Sequence, residues 1–141
     1  MFEEFGGAVL GALAYSAIGI VLMVIGFFIV DWLTPGKLGE LIWTHRNRNA
    51  ALLLASNTLG VGLIVVGAIW ASRGDLLEGI VSTLVFGLIG LAAMAVAFIV
   101  LDLLTPGRLG DIVASGELQP AVWVNSAMHL SLGGVIAMAL S

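Results

Sequence analysis

Seven side chains in the apolar parts of this chain could do chemistry, and their spacing sorts them into two groups. Asp31 and Asp102 lie 71 positions apart, each at the end of a long apolar run. A carboxylate in the last turn of a membrane helix opposes the helix dipole, so each needs a compensating partner. Two equivalent acids of this kind could line a cation or proton path. Alternatively, each sits at the membrane interface, where charge is least costly, and pairs with a loop cation such as Lys37 or Arg108. His129 heads the second group. It falls midway along the apolar stretch 120–140, with Asn125 and Ser126 one turn earlier. Asn57 and Thr58 lie at similar depth in the stretch 50–71, Thr58 standing 71 positions before His129. If the two stretches face each other, these residues form one polar cluster. It could relay protons or hold a small polar ligand. It could equally be plain interhelical hydrogen bonding, worth roughly 0.6 kcal/mol per contact.

The basic residues have their own pattern. His45-Arg46-Asn47-Arg48-Asn49 is the one basic run, preceded by Lys37. It could bind anionic lipid headgroups or an acidic partner, or simply fix membrane topology. Other chemistries find little material. The chain has no cysteine, which removes disulfides and thiolate sites. His45 and His129 are far apart, with no acid at ligand spacing to either, so no metal site is expected. No nucleophile–base pair, phosphate-binding glycine loop or His-Glu-x-x-His occurs. The expectation is a protein that is not an enzyme and needs no cofactor. Five basic residues without a basic aromatic patch give no support to nucleic-acid binding.

The elements that must position these residues are set by composition. Hydrophobic residues make up 60% of the 141 and charged ones 10%, whereas soluble domains carry about 25% charged residues. Much of this surface must therefore face lipid. Four stretches, roughly 8–30, 50–71, 79–101 and 120–140, are long enough to cross a bilayer, which takes about 20 helical residues. Backbone polar groups in hydrocarbon must pair within their own segment, so the spans should be helices. Met1-Phe2-Glu3-Glu4 puts acid where a signal peptide has base, which reads as a retained first span. The expected fold is an all-α membrane protein with four transmembrane helices.

The chain also matches itself. Positions 18–42 against 89–113 share 11 of 25 residues, centred on Asp-Trp-Leu-Thr-Pro-Gly and Asp-Leu-Leu-Thr-Pro-Gly. A match at fixed offset marks a duplicated unit, here 1–72 and 73–141, each a two-helix hairpin. Two spans per copy make the repeat parallel, with a pseudo-two-fold axis along the membrane normal. Lys37, Arg46, Arg48 and Arg108 share one side against Arg73 on the other. The positive-inside rule then puts both Thr-Pro-Gly loops in the cytoplasm and both termini outside. Trp32, Trp43, Trp70 and Trp123 fall near span ends, as an aromatic belt requires.

Locally, Thr34 and Thr105 read as N-caps, with Pro35 and Pro106 at the first helical position before Gly36 and Gly107. Proline also pushes the preceding residue out of helical geometry, so the spans should stop near Leu33 and Leu104. A short interfacial helix would follow with Leu38, Leu41, Ile42 and Trp43 toward lipid, unless Gly39 and Gly110 make it an irregular turn. Gly7/Gly11, Ser56/Gly60 and Ala93/Ala97 have the spacing that lets membrane helices approach closely.

Leu33-Thr34-Pro35, Leu104-Thr105-Pro106 and the Asn49-Ala50-Ala51 entry to the second span give the chain a recognisable look. It resembles a bacterial inner-membrane family known as domain of unknown function 350, whose members have two tandem copies and four spans. The second copy departs from that pattern with Gln119-Pro120-Ala121. The resemblance implies fold and membrane location and no activity. Family genes often stand beside polyamine-synthase-like and membrane-stress proteins. Two functions are therefore carried forward. One is a non-enzymatic structural or accessory subunit of a membrane assembly or envelope-stress system, forming a homo-oligomer or joining a larger complex. The other is a small oligomeric channel or transporter for protons or cations such as polyamines.

Overall fold

A chain this apolar can satisfy its backbone in lipid only as helices, and the computed structural model contains no strand among the described residues. It describes every residue except Pro35, Arg73, Gly74 and Arg108, and the backbone only of Leu109 and Ala114. The helices are α1 (Phe2–Leu33), α2 (Arg48–Ala71), α3 (Leu76–Leu104), α4 (Leu109–Ala114) and α5 (Pro120–Leu140). A π turn, Glu40–Thr44, lies between α1 and α2. α1, α2, α3 and α5 are each long and apolar enough to span a membrane. α1 and α3 extend beyond the apolar stretches at their starts. Glu3 and Glu4 lie in the first turn of one and Glu78 in that of the other, where acid complements the positive end of the helix dipole.

The ends of α1 and α3 lie where the Thr-Pro pairs require. Thr34 and Thr105 are both extended, at ψ 124°, the geometry that a following proline imposes. Their capping role is the reverse of the expected one. They close the preceding span: the Thr34 N–H donates to Val30 O at 2.9 Å and the Thr105 N–H to Leu101 O at 3.0 Å. The Thr105 hydroxyl donates to the same Leu101 carbonyl at 2.7 Å. Pro106 lies in the turn and not at a helix start, because α4 begins only at Leu109; Pro35 is outside the described residues. Gly36 and Gly107 have φ of 89° and 83°. This left-handed backbone is open to glycine and strained for other residues, which accounts for the glycine in each loop.

The segment after the first loop also departs from expectation. Leu38 does not face lipid. It is fully buried with Val30, Ala50, Leu53, Phe98, Val113 and Val122, a core gathered from every helix. Leu41 and Ile42 pack half-buried against the same cluster, and only Trp43 points outward. The four tryptophans are all exposed, each beside a helix end or on the π turn.

α2 and α5 form the most extensive helix pair. Their backbones meet at Gly60 and Gly133: a Cβ at Gly133 would lie 2.5 Å from Gly60 Cα. Farther along, a Cβ at Gly67 would lie 2.6 Å from the Ala137 carbonyl oxygen. Small residues at this seam allow the close packing that holds helices together in lipid. Of the three small-residue pairs noted in the sequence, Ser56/Gly60 alone serves the seam. Gly7 faces open space, Gly11 reaches only Leu76 Cδ1 at 3.9 Å, and Ala93 is exposed. α1 and α3 cover one side of α2 and α5, with Leu22, Val61, Val65 and Leu91 in one cluster. α1 packs on α2 and α3 and scarcely touches α5. The other side of the α2–α5 pair is open, exposing Leu59, Val66, Trp70, Trp123 and Met138.

Candidate functional site

Helix packing decides which polar residues meet. Because α2 and α5 cross at Gly60 and Gly133, residues one and two turns before them come into the bundle interior. Asn57, Asn125, Ser126 and His129 are all buried there. His129 Nδ1 lies 2.8 Å from the Asn125 carbonyl. A carbonyl can only accept, so Nδ1 carries the proton and Nε2 is left as an acceptor. Nε2, Asn125 Oδ1 and Ser126 Oγ are buried without a hydrogen-bond partner. The His129 ring is packed against Phe98, with centroids 5.5 Å apart. Phe98 and Asn57 also border a crevice with Gly26, Val30, Leu91 and Met94. Its accessible volume is about 10 Å³, room for about one water.

Thr58 does not join this group. It lies on the next face of α2, half-exposed, and its hydroxyl donates to Leu54 O at 2.8 Å. That bond satisfies a hydroxyl in a membrane helix without any partner helix. Ser56 is treated alike, donating to Leu53 O at 2.9 Å. Thr58 is therefore turned away from the buried Asn57, and the one hydrogen bond of the His129 ring runs to its own helix. Thr83, a buried polar residue that the sequence reading passed over, also has an unpartnered hydroxyl.

Asp31 has a local task. It is half-buried, and its Oδ1 accepts the Leu38 N–H at 2.6 Å. The compensation that a carboxylate at a helix C-terminus needs thus comes from a backbone N–H past the Thr-Pro-Gly turn. Lys37 is exposed and makes no ion pair with it. The carboxylate ties the loop back to its own helix and so holds Leu38 in the core. Asp102 occupies the corresponding half-buried position on α3; Arg108, its proposed partner, is outside the described residues, as is Arg73.

The sequence reading missed what the asparagines of the basic run do. From Arg46 to Asn49 the chain alternates outward and inward: Arg46 and Arg48 are exposed, Asn47 and Asn49 buried. Asn47 caps α2, its Oδ1 accepting the Ala50 N–H at 3.1 Å, and its Nδ2 donates to Val113 O at 2.7 Å. Asn49 Nδ2 donates to Ile112 O at 3.2 Å and Glu117 O at 2.5 Å, and its Oδ1 accepts the Gln119 N–H at 3.1 Å. These bonds fasten the entry of α2 to the loop around α4. The only available signal was that Leu118 and Pro120, and not asparagines, stand 71 positions after Asn47 and Asn49. Asn47 and Asn49 instead bond backbone groups of that later segment.

Among the described residues the polar side chains fall into separate sets: the Asp31 tie, the Asn47/Asn49 fastening, the Tyr15–Ser72 contact at 3.4 Å and the buried group on α5 around His129. Toward the C-terminal ends of α2 and α5 their seam continues through Gly60, Gly133, Gly67 and Ala137, none of which carries a polar side chain. No group of three or more metal-ligating side chains occurs among the described residues.

Comparison with known proteins agrees with this architecture. The family model described as Domain of Unknown Function (DUF350) matches residues 4–140. A UPF0719 transmembrane protein of Mycobacterium bovis is 35% identical over 133 residues, covering 94% of this chain and 88% of the relative. One from Mycobacterium tuberculosis matches to the same extent. A third, from Mycolicibacterium paratuberculosis, is 34% identical over 96% of this chain and 89% of the relative. No solved structure matches the chain. With four helices fit to cross a membrane, and with transmembrane proteins of bacteria as its relatives, the chain is a multi-pass membrane protein and belongs to the DUF350 family.

Proposed function

We propose that the protein is a non-enzymatic structural or accessory subunit of a bacterial inner-membrane assembly or envelope-stress system. One observation carries this reading: the side chains of Asp31, Asn47, Asn49 and Thr58 are used on separate internal partners. Asp31 bonds the backbone of its own loop, Asn47 and Asn49 fasten two loops together, and Thr58 bonds its own helix. Such a molecule is a rigid apolar body with short loops, suited to lie against other membrane helices. The open α2–α5 face supports assembly, either as a homo-oligomer or within a larger complex. The exposed Lys37, Arg46 and Arg48 support a topology with the Thr-Pro-Gly loops in the cytoplasm and both termini outside.

A second reading, a small channel or transporter for protons or cations such as polyamines, draws on the unpartnered atoms at Asn125, Ser126 and His129. Two measurements separate the readings. A native mass spectrum of the protein, gently extracted from its own membrane, should contain other subunits if it is accessory. A single species at a multiple of 14.6 kDa, together with liposome cation flux that falls in Asp102→Asn, would instead establish the channel.

A further inference from the structure

Beside the exposed arginines runs a groove that none of the above uses. It is lined by Trp43 of the π turn and by Ala51, Leu54, Ala55, Thr58 and Leu59 of α2, with a volume of about 540 Å³. Arg48, Ala51, Ala55 and Leu59 are three or four residues apart and so share one helix face. Arg48 therefore stands at the mouth of the groove. Arg46 is two residues earlier, also outward, its backbone in the left-handed region at φ 51°. No other non-glycine residue among those described has a positive φ. The conformation is what lets Asn47 turn inward to Val113 while the arginines on either side of it stay outside. Glu40, the acid of the π turn, faces His45 at 3.8 Å.

We propose that this groove holds one chain of an anionic phospholipid, its phosphate between Arg46 and Arg48. Three features select a lipid over a protein segment. The groove lining is apolar apart from the Trp43 indole N–H and the Thr58 hydroxyl, whose proton is already given to Leu54 O. Its length suits an acyl chain: from Arg48 to Leu59 the helix rises about 16 Å at 1.5 Å per residue, close to half of a hydrocarbon core of about 30 Å. Arg48 on the groove's own helix face and the exposed Arg46 two residues earlier supply two guanidinium groups, whose planar donors match phosphate oxygens, beside an exposed tryptophan suited to headgroup level. The inference does not depend on the accessory reading, since a channel could carry the same lipid.

The test uses the full-length protein equilibrated in bilayers of equal phosphatidylglycerol and phosphatidylcholine with identical acyl chains. Lipid retained after transfer to mild detergent is then counted by native mass spectrometry. Wild type should retain phosphatidylglycerol preferentially. Arg46→Gln/Arg48→Gln should lower that preference about 30-fold, from about 1 kcal/mol for each cation near a membrane surface. Ala55→Trp keeps both arginines but fills the groove, and should reduce retention of both lipids. Equal retention of the two lipids by wild type would overturn the proposal, as would an undiminished preference in the double glutamine variant. If a variant does not fold, phosphatidylglycerol with a photoreactive acyl chain decides the matter on wild type. Labelling of Trp43, Ala51, Leu54 or Thr58, which line this groove and not the open α2–α5 face, supports the site, and labelling confined to that open face or to a co-purified protein removes it.

Discussion

Gly133→Ala is the change that most directly tests the packing argument. A Cβ added there would lie 2.5 Å from Gly60 Cα, 2.6 Å from its carbonyl oxygen and 2.9 Å from its carbonyl carbon. All three are backbone atoms, so no side chain can rotate away. Carbon atoms pack at about 3.5–4.0 Å, and α2 and α5 must therefore part by about 1 Å. A gap of that size forfeits about a quarter to a half of the dispersion energy of the atoms lining it. In lipid that packing, and not a hydrophobic driving force, is what holds helices together. Overpacking in tight cores costs about 1–3 kcal/mol, and the backbone contact puts this site at the upper end. The expected loss of about 3 kcal/mol is about a hundredfold in the unfolding equilibrium. The assay is unfolding in mixed micelles of mild detergent and dodecyl sulfate, followed by circular dichroism. Gly134→Ala is the control, because nothing lies within 4 Å of a Cβ there; alanine's helix propensity should make it neutral or stabilising by up to about 1 kcal/mol. Equal stabilities for the two variants would refute the close crossing, and with it the burial of His129 that the crossing imposes.

Other expectations follow from the same geometry. Asn49→Ala leaves the Gln119 N–H without its acceptor and takes one donor from Ile112 O and Glu117 O, which keep their bonds from Ser115; a loss of about 1–3 kcal/mol and faster amide exchange at Gln119 should result. Gly36→Ala must hold φ near 89° with a Cβ in place, so stability should fall by about 1–2 kcal/mol, read from the same micelle titration. Asp31→Asn keeps an acceptor for the Leu38 N–H and should cost less than Asp31→Ala, which should lose about 1 kcal/mol or more; a reversed order would sink the capping role. His129→Phe replaces a ring that has one unpartnered nitrogen. Under the accessory reading it should leave complex formation intact, as judged by co-purifying mass, whereas under the channel reading it should abolish flux.

The loops show where reading a sequence succeeds and where it stops. The Thr-Pro pairs announced the ends of α1 and α3 because proline acts on its immediate neighbour, and that effect needs no tertiary partner. A threonine before proline can cap the helix behind it as well as one ahead, and local sequence does not say which. An apolar face on an interfacial helix points Leu38 toward lipid. Only the Asp31 bond and the cluster from the other helices turn that residue inward. Thr58 was grouped with His129 by depth along its helix, but depth does not give the rotation about the helix axis.

By itself, then, the sequence determined the membrane class, the four helices and most of their ends, through composition, span length and local backbone rules. Backbone hydrogen bonds in hydrocarbon close within each span, so these features are encoded locally. The tertiary structure alone decided which polar residues meet and which satisfy themselves. That choice depends on how α2 and α5 are rotated against each other. The rotation is set by two glycines seventy-three residues apart, Gly60 and Gly133, whose contact no local pattern announces.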